Sequence, residues 1–112
     1  MSDTPTVDTA IRDAAKLEEQ LAEVRQEMER QLKLVDAEDY DAFDASCAAL
    51  GPKLRVVTAA DCQITNTAFA HIEDIRRLHH EIGLRLADQS AAAAKGLDRV
   101  RAGKNMLKAY TS

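Results

Sequence analysis

Three histidines (His71, His79, His80) and two cysteines (Cys47, Cys62) are the side chains in this 112-residue sequence best suited to holding a metal or acting as nucleophiles. A di-iron helical bundle needs Glu-x-x-His on facing helices. The residues three before these histidines are Ala68, Arg76 and Arg77, so that pattern is absent. The His-Glu-x-x-His zinc motif is absent too. The two cysteines stand far apart, without the close pairing of a zinc knuckle. Neither a cysteine nor a serine sits in a local nucleophile signature. The four glycines, at 51, 83, 96 and 103, are isolated and build no phosphate loop. The sequence therefore predicts no enzyme, no metal ligands and no cofactor. His79 falls on an apolar helical seam, where it reads as a partly buried polar residue flanked by His71 and His80.

The elements around these residues are helical. Thirty per cent of the chain is charged, 46% is hydrophobic, and aromatics amount to two Phe, two Tyr and no Trp. Plentiful Ala with few aromatics points to long helices or coiled coil. A chain of this length reads as one domain with a thin core of Leu, Ile, Val, Met and Ala. That core leaves room for a partner or a second copy. The first ten residues, MSDTPTVDTA, show no signal-peptide pattern, and no run approaches the ~20 apolar residues of a membrane span. A cytoplasmic protein with reduced, buried thiols is expected.

Helix 1 is predicted from about residue 5 to 37, with Thr4 as N-cap and Pro5 in the first helical position. Its apolar positions are Ala10, Ala14, Leu17, Leu21, Val24, Met28 and Val35. They alternate in steps of four and three, and Gln31 fills the single polar step. Such a helix spans roughly 50 Å and carries one narrow stripe, so it needs a partner along most of its length. Four acids between Asp36 and Asp41 suit a helix start better than a helix end. Asp39 is thus the expected N-cap of helix 2, placed at about 39–60. Tyr40 and Phe43 mark the closure of the hairpin. The helix 2 seam reads Phe43, Cys47, Leu50, Leu54 and Val57, and Gly51-Pro52 predicts either a kink or a turn within it. Thr58–Thr67 is the next place for a reversal. Helix 3 then runs from about 66 to 108, on Ala68, Ile72, Ile75, His79, Ile82 and Leu86, with Leu78 flanking. The whole reads as an all-α protein: an antiparallel helical hairpin or three-helix bundle with long, coiled-coil-like helices and an extended C-terminal helix.

The last third of helix 3 differs in kind. The seam continues through Gln89, Ala93, Gly96, Val100, Gly103, Leu107 and Tyr110, alternating bulky and small residues. Five bases, Lys95, Arg99, Arg101, Lys104 and Lys108, accompany a single acid, Asp98. Residues 1–50 hold thirteen acids against five bases, whereas residues 51–112 hold six acids against ten. This asymmetry suits pairing of the acidic start with the basic end, or two solvated faces.

Two segments resemble the small helical chaperones of flagellar (type III) export that guard hook-filament-junction and filament-cap subunits. One is the acidic turn and second helix, AEDYDAFDASCAALGPKL. The other is the end, LDRVRAGKNMLKAY, in which Gly103, Lys104, Leu107, Ala109 and Tyr110 match the group's usual finish. Gly51-Pro52 departs from the unbroken helix usual there, and the chain is shorter than typical members. The resemblance implies a cytoplasmic, non-enzymatic chaperone that holds an amphipathic helix of an export substrate. Leu97, Val100, Leu107 and Tyr110 would then supply apolar contacts around Gly103. Arg99, Arg101, Lys104 and Lys108 would select an acidic rim. A homodimeric coiled-coil adaptor without a client is the alternative. A nucleic-acid-associated helical regulator follows, opposed by the net charge of −4 and the absence of interleaved aromatics.

Overall fold

The computed structural model describes the backbone of residues 7–111 and the side chains of residues 8–103. Three helices are present and no strand occurs among the described residues: α1 (Val7–Asp36), α2 (Tyr40–Ala59) and α3 (Asn66–Thr111). The expected cap at Thr4 and Pro5 lies outside the described residues. The chain divides into two compact units, one ending at Ile82 and one beginning at Gly83.

In the first unit α1 supplies the spine. Leu17, Leu21, Val24, Met28, Gln31 and Val35 are all buried, and Val24 and Val35 are 0% exposed. The four-three spacing keeps these residues on one stripe of the helix, so a single face of α1 carries the core. Gln31 is the polar exception, and its amide nitrogen is buried without a hydrogen-bond partner. The seam fades toward the N-terminus: Ala14 is half-buried, while Ala10 and Ile11 are exposed.

α1 ends in a Schellman turn. The Asp39 N–H bonds the Leu34 carbonyl at 2.9 Å and the Glu38 N–H bonds the Val35 carbonyl at 3.0 Å. Glu38 takes the left-handed position, with φ of 56°, where glycine is usual because it has no Cβ to crowd the carbonyl. Asp39 then serves the next helix. Its carboxylate accepts from the Ala42 N–H at 3.3 Å, and its carbonyl accepts from the Phe43 N–H. Three residues thus close one helix and open another, so α2 must return antiparallel along α1, against which it packs. Tyr40 is exposed and Phe43 half-buried at this end.

α2 runs unbroken through Gly51-Pro52, so Pro52 removes one N–H from the ladder without making a turn. Its buried positions are Ser46 and Leu50, with Phe43 and Val57 half-buried. The expected seam through Cys47 and Leu54 is corrected: Cys47 is exposed, and Leu54 is 37% exposed. Ser46 wins the inward place because its hydroxyl has a carboxylate to meet, as described below. After a connection at residues 60–65, Thr65 caps α3 by accepting from the Ala68 N–H at 3.1 Å. Ala68 packs on Leu17 and Leu21, and Leu78 and Ile82 are also buried. His79 is exposed, contrary to its expected place on the seam. Its neighbour Leu78 occupies the inward position, since burying a leucine gains free energy where burying an imidazole costs desolvation.

In the second unit no residue from Gly83 to Gly103 is buried, although Leu86 and Gln89 are half-buried.

Candidate protein-binding surfaces

Two surfaces have apolar side chains available to a partner. The first is the C-terminal strip. Leu97 and Val100 are 58% and 56% exposed, and Arg99, Arg101 and Gly103 are exposed beside them. At 100° per residue, Arg99 and Arg101 fall on opposite flanks of Val100, while Leu97 and Gly103 stay within about 60° of it. The geometry is an apolar ridge between two guanidinium groups. The backbone of Lys104, Leu107, Lys108 and Tyr110 continues in α3, but their side chains lie outside the described residues. A Cβ added at Gly96 or Gly103 would meet nothing within 4 Å. Neither glycine is required there by a close backbone approach among the described residues.

The second surface is a groove in the first unit that the seam pattern did not reveal. Leu17 and Leu21 of α1 form part of its lining, Leu54 and Val57 line it from α2, and Ile72 and Ile75 line it from α3. It holds about 380 Å³, and Arg76 is the one charged side chain in its lining. Burial along α2 explains why it exists. Up to Leu50 the helix carries buried residues, whereas from Gly51 onward none is fully buried. Ile64, a large apolar residue that the four-three spacing leaves unaccounted for, also lines the groove and is 56% exposed.

Two polar ties on α1 were equally invisible to periodicity. Ser46 donates its hydroxyl to Glu27 Oε1 at 2.6 Å, and Thr65 donates its hydroxyl to Glu18 Oε1. One carboxylate of the acidic helix thus fixes α2 and another fixes the start of α3. The Ser46 hydroxyl, with Arg30 adding to it, holds Glu27 below the usual carboxylate range against the opposing effect of burial. The ion pairs Arg25–Glu29, Arg30–Glu27, Arg76–Glu73 and Arg77–Asp74 each lie within one helix near the surface. They contribute little individually.

The residues with chemical potential do not assemble. Among the described residues no three His, Cys, Asp or Glu side chains come together in a metal-binding group. Cys62 is half-buried, with its Sγ 4.0 Å from the Asp13 carbonyl. Cys47 is exposed, and partial desolvation, with Asp44 nearby, pushes its thiol up, away from the reactive thiolate. No described helix is long and apolar enough to cross a membrane.

No protein-family model, no curated protein and no solved structure matches the chain. The resemblance to flagellar export chaperones therefore rests on its own residues.

Proposed function

We propose that the protein is a non-enzymatic binding module that holds an amphipathic helix of another protein against the C-terminal part of α3. The reading follows the export-chaperone resemblance, with a cytoplasmic setting and a flagellar export substrate as client. The observation that carries it is the exposure of Leu97 and Val100 between Arg99 and Arg101. An isolated helix gains nothing from an exposed apolar ridge, whereas a partner's helix laid on it buries both side chains and sets acids against the guanidinium groups.

The test is a full-length double variant, Leu97→Asp with Val100→Asp, assayed against purified hook-filament-junction and filament-cap subunits. Loss of binding with circular dichroism unchanged supports the reading. Unchanged binding overturns it for this strip. A homodimeric coiled-coil adaptor draws on the same ridge, paired with its counterpart in a second copy. Sedimentation separates the two, because there the double variant dissociates a dimer in the absence of any client.

A further inference from the structure

We infer that the groove between the second half of α2 and the start of α3 is a second protein-binding site, one that seats the apolar face of an acidic amphipathic helix. This goes beyond the C-terminal strip because it stands on different residues. The groove already has the form of a helix-binding cleft. Leu17 and Leu21, both nearly fully buried, belong to the hydrophobic core. The side chains at the rim are apolar yet open to solvent, Leu54 at 37% and Ile64 at 56% exposure. An apolar cavity of ~150 Å³ holds a benzene-sized group. The groove's 380 Å³ therefore takes about two large apolar side chains, as an i, i+3 or i, i+4 pair on a helix presents them.

Charge selects the occupant. The α2 wall, which contributes Leu54 and Val57, carries no acid from Gly51 to Ala59. Arg76 is the charged residue lining the opposite wall. Its pairing with Glu73, at 3.4 Å on an exposed surface, is weak enough to be exchanged for a carboxylate delivered by a partner. A basic flanking helix would meet Arg76 and be repelled.

The test uses two synthetic amphipathic peptides with identical leucine spacing, one flanked by glutamates and one by lysines, titrated into the full-length protein. The glutamate peptide should bind at least about ten-fold more tightly than the lysine peptide. Leu54→Asp and Ile64→Asp, at partly open positions, should each weaken it by a similar factor with the thermal midpoint preserved. Arg76→Glu should reverse the preference between the peptides, an outcome that a merely structural role for Arg76 does not produce. The Leu97→Asp/Val100→Asp protein should still bind the glutamate peptide. Equal binding of both peptides, binding insensitive to Leu54→Asp and Ile64→Asp, or binding to neither peptide overturns the groove site. Peptide binding lost only in the Leu97→Asp/Val100→Asp protein overturns it while leaving the strip standing. A dimer without peptide that Leu54→Asp dissociates assigns the groove to a second copy, and overturns it as well.

Discussion

α1 and the C-terminal part of α3 are written in the same four-three rhythm and are buried quite differently. In α1 the stripe holds Leu, Val and Met, and every position from Leu17 to Val35 is withdrawn from solvent. In α3 beyond Ile82 the stripe holds, among the described residues, Leu86, Gln89, Ala93, Gly96, Val100 and Gly103, and none of these is buried. Periodicity states that a helix has a face. Side-chain volume decides whether that face gains enough from burial to hold a neighbour. Where glycine and alanine replace leucine, each step contributes too little apolar area to offset ordering a second helix.

The contrast is sharpest under truncation. Leu21→Ala should destabilise the protein by about 2–5 kcal/mol, read as a lowered urea midpoint. Val100→Ala should change it by no more than about 0.5 kcal/mol. Similar losses at both sites would mean that the C-terminal stripe is core. A second, smaller effect concerns the tie between helices. Ser46→Ala should cost about 2 kcal/mol at neutral pH, since it removes a hydrogen bond to a charged acceptor. The sign with pH is fixed by Glu27, whose folded value is lowered from 4.5. Its contribution is present above the unfolded value and is lost as pH falls through the lower folded one. The gap between wild type and Ser46→Ala should accordingly narrow in acid; a gap constant down to pH 2 would show that the carboxylate is not the partner that matters.

Smallest are the backbone effects, which should stabilise. Glu38→Gly relieves a left-handed residue of its Cβ and should add about 1 kcal/mol to the first unit. Gly96→Ala and Gly103→Ala meet open space. Each should favour the helix by ~1 kcal/mol, visible as increased ellipticity at 222 nm. A decrease would indicate that a backbone lies against that face in solution.

Much of the fold can be read from the residues. The all-helical architecture follows from Ala-rich, Gly-poor composition, and the α1 core follows from a stripe long enough to fix its own phase. Asp39 as a cap follows from the surplus of acid between Asp36 and Asp41. What periodicity could not decide is which of two adjacent residues faces inward. Ser46 against Cys47 and Leu78 against His79 are each separated by 100° of helix, and apolar character alone favours Cys47 wrongly. The deciding partner, Glu27, sits nineteen residues earlier in the sequence. The exposed half of the candidate strip, Leu97 to Gly103, is where the sequence placed an apolar ridge with basic flanks. The groove was hidden for a different reason. It arises because α2 continues past Pro52 without burying its later turns, and no local pattern records how far a helix stands from its neighbour.

The turn at Ala37–Asp39 has a consequence for how this chain can vary. Asp39 both completes the end of α1 and caps α2, so no residue there is spare. One inserted residue would rotate α2 by about 100° about its axis. That would swing Ser46 away from Glu27 and Leu50 out of the core together. The connection at residues 60–65 shares no residue between two caps and can lengthen at little cost in closure entropy. Related chains should therefore differ in length at the second connection and agree at the first. The hairpin turn acts as the indexing pin of the molecule.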